Sequence, residues 1–188
     1  MGEGEGRLLD VGCGTGFFAS EMAERGWNVT GVDTSEDMLR FARERCLDVL
    51  RVDGAALPFP ADSFDAVIST WTHTDIDDFP AMVREVARVL VDGGPFVYVG
   101  AHPCFVGPHS QFVSAEGIPT LHPGYWHVGR YDDGPGISSS GLRAKVGATH
   151  LPLGAFLQTF FDAGFRLDAF EEAKRREYPY MIALRCRA

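Results

Sequence analysis

Three alternate glycines, Gly12, Gly14 and Gly16, begin two residues after an acidic side chain, Asp10, in the stretch LLDVGCGTG. Glycine lets a backbone take positive φ and lets a ligand approach where a Cβ would collide; a helix that follows directly aims its first N–H groups at that ligand. Two further carboxylates, Asp33 and Asp53, each close a short apolar run. A carboxylate at a strand end can accept both hydroxyls of a diol, or the protons of an exocyclic amine. His73, in TWTHTD, adds an imidazole able to take a proton near neutral pH. Four of the six histidines, His102, His109, His122 and His127, fall later, in a stretch that also holds Phe105, Tyr125, Trp126 and Tyr131.

These residues need elements to hold them. Leu8 to Val11 reads as a strand, residues 16 to 25 as a helix stopped by Gly26, and Asn28 to Val32 as a second strand ending at Asp33. Ser35 opens a helix through Arg45, Leu47 to Val52 is a third strand closed by Asp53 and Gly54, and Phe64 to Ser69 is a fourth. A helix over Asp78 to Leu90 precedes a fifth strand, Phe96 to Gly100. Strict alternation of strand and helix predicts parallel strands joined by right-handed crossovers. Residues 102 to 149 lose periodicity and are rich in Gly and Pro, which predicts a cap or insertion over a pocket. A helix at 152 to 163 and two strands, Phe165 to Glu171 and Pro179 to Arg187, complete the chain; the charged link 172 to 177 predicts that these two strands are antiparallel neighbours.

With 188 residues and 45% hydrophobic content the chain suits one domain. Residues 7–101 form its ligand-binding half, 102–149 the insertion, and 150–188 the C-terminal helix and hairpin. A net charge of -9, spread along the chain, disfavours nucleic acid. Cys13, Cys46, Cys104 and Cys186 are far apart, which argues against a disulfide framework or a zinc knuckle. No apolar run suits a membrane span and MGEGEGR has no apolar signal core, so the expectation is neither membrane insertion nor secretion but the cytoplasm. The sequence carries no sign of an oligomeric state.

Glycine spacing narrows the ligand. A dinucleotide turn reads G-x-G-x-x-G, whereas here it reads G-x-G-x-G behind Asp10. This pattern resembles motif I of the class I S-adenosylmethionine-dependent methyltransferases, and later segments resemble the family in order: GVDTSEDML at 31–39, VDGAALPFPADSFDAVIS at 52–69, and VREVARVLVDGG at 83–94, where Asp92 stands at a position more often Pro. The resemblance implies a Rossmann-like doubly wound α/β sheet of seven strands in the order 3-2-1-4-5-7-6, the last antiparallel, with an insertion after strand five. It implies S-adenosylmethionine as cofactor, with Asp33 on the ribose hydroxyls, Asp53 on the adenine amine, and Gly54 and Ala55 beside the ring. Asp10 would act indirectly on the turn or on the amino-acid end of the cofactor. Gly12, Cys13, Gly14, Gly16, Thr34, Met38 and Ser69 complete the implied cofactor set.

The implied reaction is methyl transfer to a small-molecule acceptor. His73, just past strand four, is the candidate general base, with pocket lining as an equal alternative. Trp71, His102, Phe105, Tyr125, Trp126 and His150 are candidates for acceptor binding. Arg130, Arg143 and Lys145 could meet an anionic acceptor or simply be solvated. The histidine spacings repeat no compact ligand pattern, so no metal is expected. Two rivals stand beside this reading. A nicotinamide-dependent oxidoreductase would share the turn and Asp33. A cofactor-binding protein of impaired or absent activity is raised by the short segment before the turn, where relatives carry helices that cover the cofactor.

Overall fold

The computed structural model describes residues 2–45, 47–112, 118–137, 143–173 and 177–188. Cys46 and part of the charged link at 172–177 lie outside them. The chain begins with β1 (Arg7–Val11), α1 (Phe17–Glu24), β2 (Asn28–Asp33), α2 (Glu36–Glu44) and β3 (Asp48–Arg51). It continues through β4 (Ala66–Thr70), α3 (Phe79–Val89) and β5 (Pro95–Ala101). Seven strands form one sheet, ordered β10-β11-β5-β4-β1-β2-β3, where β10 is Arg166–Glu172 and β11 is Met181–Arg187. The run from β3 to β5 is parallel, and β11 enters antiparallel between β5 and β10. This is the doubly wound sheet that the sequence predicts.

Helix boundaries follow their caps. Ser35 Oγ accepts from Met38 N at 3.4 Å, and Asp78 Oδ1 accepts from Ala81 N at 2.8 Å, satisfying first-turn donors of α2 and α3. α1 has no such side chain. Its N-cap is Gly16, left-handed at φ 77, so its first N–H groups are uncapped by any side chain.

The sheet is covered unequally. On one face α3 and α5 (Leu153–Asp162) bury Phe79, Met82, Val86, Phe156 and Phe160 against Leu9, Val11, Phe96 and Tyr98. Phe79 and Phe156 stack at 5.4 Å with their planes 14° apart. The other face carries a smaller cluster, in which Leu8, Val29, Ala66 and Ile68 meet Ala19 of α1.

The insertion is more regular than its sequence suggests. β6 (Ser110–Phe112) pairs antiparallel with β7 (Pro119–Leu121), and β8 (Gly129–Tyr131) with β9 (Ala148–His150), while α4 spans Arg143–Val146. Strands of three residues are too short to show a period, so tertiary pairing rather than pattern defines them.

The aromatic layer carries much of the core. Phe156→Ala is expected to cost about 3–5 kcal/mol, since a fully buried ring in contact with Phe79, Tyr98 and Phe160 leaves a cavity. Urea denaturation measures this; a loss below about 1 kcal/mol would show that the layer collapses to fill the space.

Candidate functional site

β1 stands between β2 and β4, and successive crossovers leave it in opposite directions. A crevice opens at the carboxyl ends of strands at such a switch point. There Val11 passes into Gly12, Gly14 and Gly16, with φ of 74°, 53° and 77°. A Cβ on Gly12 would lie 2.2 Å from Thr72 Cγ2, and one on Gly16 would lie 2.5 Å from Leu47 Cδ1 and 3.2 Å from Ala42 Cα. Gly14 differs: nothing lies within 4 Å of its Cβ direction, so its backbone faces open space.

The turn is fastened to the end of β2. Gly12 N and Cys13 N both donate to Val32 O, at 2.8 and 3.0 Å. Asp33 then bridges two segments: its Oδ2 accepts from Gly14 N at 2.9 Å and its Oδ1 from Ser35 N at 2.8 Å. Val52 N donates to Asp33 O at 3.0 Å, which places Asp53 beside it, and Asp53 Oδ1 accepts from Ala55 N at 2.9 Å.

A cavity of about 730 Å³ fills this crevice. Of the implied cofactor set, Gly12, Gly14, Asp33, Thr34, Met38, Asp53, Gly54 and Ala55 line it. Asp10, Cys13, Gly16 and Ser69 do not. Cys13 is buried, with its Sγ packed against Gly31, and burial together with the charges of Asp10 and Asp33 pushes its thiol up to about 12. Ser69 Oγ donates to Val11 O at 2.9 Å and lies 2.7 Å from Thr72 Oγ1, so it ties strands together. Gly16 serves the helix start. Asp10 lies beneath the turn, 1% exposed, with both carboxylate oxygens lacking a hydrogen-bond partner. Burial first, and the charge of Asp33 second, raise its pKa to about 7.

His73 is not placed as a general base. Thr72 O accepts from Asp75 N and Ile76 N, and this turn carries His73 inward, away from the cavity wall. Its ring is 1% exposed among Phe79, Tyr98 and Phe156, with Nδ1 hydrogen-bonded to Tyr98 Oη. Burial, then the neighbouring His150, push its pKa down to about 3, so the imidazole is neutral and a poor proton acceptor.

Most acceptor candidates also lie elsewhere. His102 is buried with Nε2 on Glu172 Oε1 at 2.8 Å, and Phe105 packs on His102 and Tyr178. Tyr125 Oη accepts from Leu153 N at 2.9 Å, and its carbonyl meets His150 Nε2 at 2.9 Å. These contacts fasten the insertion to β10 and α5 rather than line the cavity. Trp126 is 81% exposed. Only Trp71 of that group reaches the cavity wall, 40% exposed, from a left-handed backbone at φ 61.

Sequence reasoning missed Thr72, Asp75, Ile76, Asp77 and Asp78 after β4, and Val146 from α4, which also line that wall. The first group was findable, because any loop leaving a switch-point strand borders the crevice. Arg143, named from the sequence as a possible partner of an anionic acceptor, does line the cavity but meets a carboxylate of the protein itself. Its guanidinium pairs with both oxygens of Asp75, at 2.5 and 3.0 Å, and Arg130 pairs with Asp77 at 3.2 Å.

Comparison with known proteins fits this geometry. Residues 9–98 match the family model described as a methyltransferase domain. The bifunctional biotin biosynthesis protein BioHC of Cellvibrio japonicus is 33% identical over 175 residues, covering 92% of this chain and 30% of that protein. A fatty-acid O-methyltransferase of Mycolicibacterium smegmatis is 40% identical over 116 residues, 58% of this chain and 42% of that one. A crystal structure of an S-adenosylmethionine dependent methyltransferase from Mesorhizobium loti superposes with a TM-score of 0.80 at 25% identity, covering 98% of this chain and 92% of that chain. Fold and site thus define a Rossmann-like domain with S-adenosylmethionine as its cofactor. Residues 9–98 match a methyltransferase domain, and the chain shares the fold of S-adenosylmethionine-dependent methyltransferases. It spans about a third to a half of the length of the curated relatives it matches.

Asp10 gives the fold a pH dependence of known sign. Its ordinary pKa is 3.8 and the folded value about 7, so the native state binds this proton more tightly. Its contribution to stability is full below about pH 4 and is lost as pH rises toward about 7. Asp10→Asn should therefore gain stability relative to the parent as pH rises through that window. Urea midpoints of both proteins at about pH 5 and about pH 8 measure it; a pH-independent difference would contradict the buried, unpaired carboxylate.

Proposed function

We propose that this chain transfers a methyl group from S-adenosylmethionine to a small-molecule acceptor. The observation that carries the reading is Asp33: a carboxylate fixed by Gly14 N and Ser35 N at the edge of a cavity of about 730 Å³, with the open backbone of Gly14 beside it. Each Asp33 oxygen has a lone pair left for one hydroxyl of a ribose diol. Asp53, turned by its bond to Ala55 N, keeps Oδ2 for the adenine amine, and Met38 and Ala55 offer apolar surface to the ring. Gly12 and Gly14 allow close approach of the amino-acid end at the uncapped start of α1. Asp10 would act from below, through the turn it underlies.

The cofactor supplies a methyl group already activated on a sulfonium, and the product is S-adenosylhomocysteine. This chain's residues then have to position an acceptor at roughly 3–3.5 Å and exclude water. Trp71, Ile76 and Val146 stand where that acceptor would lie. With His73 withdrawn into the core, positioning rather than proton abstraction is the contribution we assign to the protein. Free thiols at Cys13, Cys104 and Cys186 support a reducing, cytoplasmic setting. No described helix is long and apolar enough to cross a membrane. Nothing in the described cavity favours the nicotinamide reading.

Calorimetric titration with S-adenosylhomocysteine tests the assignment. The parent should bind, and Asp33→Ala should weaken binding by on the order of 10²-fold or more, because two hydrogen bonds to a charged group are removed. Equal affinity in the two proteins would remove Asp33 from the ribose.

A further inference from the structure

The acceptor half of the cavity says what kind of molecule it takes. Its charged groups are Asp75, Asp77, Asp78 and Arg143, and the guanidinium is already paired within the protein. Arg143 holds Asp75 through two bonds and also touches Thr74 Oγ1 at 3.2 Å. Asp77 meets Arg130, whose other nitrogen bonds Val146 O. Asp78 Oδ1 caps α3. An anionic acceptor entering here would meet three carboxylates and no guanidinium that is not already paired among the described residues.

Beside these charges the wall offers a flat apolar surface. Trp71 lies beside Tyr180, ring centroids 6.5 Å apart and planes 22° from parallel, and the indole stays 40% exposed at the cavity wall. Ile76 and the exposed side chain of Val146 complete that wall. Trp71 holds its place at a cost: its φ of 61 is a conformation that a bulky non-glycine residue adopts only under tertiary constraint, and Trp71 N donates to Val99 O at 2.7 Å to fix it. The strained backbone is what turns the indole toward the cavity.

We propose that the acceptor carries a planar conjugated ring that stacks on Trp71 and bears no negative charge, because Asp75, Asp77 and Asp78 line the same wall while Arg143 and Arg130 are already paired. This rests on the methyl-transfer reading of the same cavity, and it assigns Trp71 the role of specificity platform. Thr70, whose hydroxyl-bearing side chain lies on the same wall, suits a ring bearing a polar substituent.

Two probes sharing one ring system separate shape from charge: 2-naphthol and 2-naphthoate, each titrated at pH 7 into protein saturated with S-adenosylhomocysteine. The expected result is that naphthol binds at least about tenfold more tightly than naphthoate. Trp71→Ala and Trp71→Gly, the second compatible with the left-handed backbone, should both lose naphthol binding while holding S-adenosylhomocysteine within about threefold. Naphthoate binding as tightly as naphthol or more tightly, or retained naphthol affinity in both variants, would overturn the proposal. Failure of the parent to bind S-adenosylhomocysteine would instead overturn the methyl-transfer reading on which it rests.

Discussion

The site depends on one carboxylate with two backbone partners. Asp33 takes Gly14 N on one oxygen and Ser35 N on the other, so it fixes the glycine turn after β1 to the start of α2 across the carboxyl end of β2. The two bonds orient the oxygens before any ligand arrives, so a bound diol would cost little reorganisation. Neighbouring features serve the same junction. Val32 O collects two turn amides, Arg45 Nε reaches Thr15 O at 3.0 Å, and Ser35 caps the helix it begins. Glycine at 12 and 16 is demanded by close neighbours, whereas at Gly14 the space beyond the backbone is the cavity itself.

Two groups near this junction are held against their own preference. Asp10 is a buried acid without a hydrogen-bond partner among the described residues, its pKa raised to about 7. Trp71 is a bulky residue in a left-handed conformation. Each costs stability that a hydrophobic or glycine replacement would recover, and both border the turn or the cavity. Local strain of this kind concentrates where geometry serves a ligand rather than the fold.

How far the sequence could be read depended on the range of the interactions. Asp33 and Asp53 were legible because they sit at strand ends, and the β/α alternation fixes which way those ends point. The seven-stranded order was legible for the same reason. That His73 lies outside the cavity was not legible, because its direction is set by a turn, in which Thr72 O takes two amides, and by an aromatic layer built from α3, β5 and α5, segments distant in sequence. His102, His150 and Tyr125 looked like pocket residues because aromatic and imidazole groups in or beside an irregular stretch suggest a ligand. They are fasteners, bonded to Glu172, Leu153 and one another's backbone. Arg143 was named from its charge alone, and its pairing with Asp75 appears only when α4 is folded against the loop after β4.

The central claim is that Asp33 holds the turn and the cofactor's ribose at once. A crystal structure of the protein with S-adenosylhomocysteine tests it most directly. It should show both ribose hydroxyls within hydrogen-bond distance of the Asp33 carboxylate while Gly14 N and Ser35 N keep their present bonds. A nucleoside bound away from Asp33, or a carboxylate that leaves Gly14 to reach the ribose, would contradict the account.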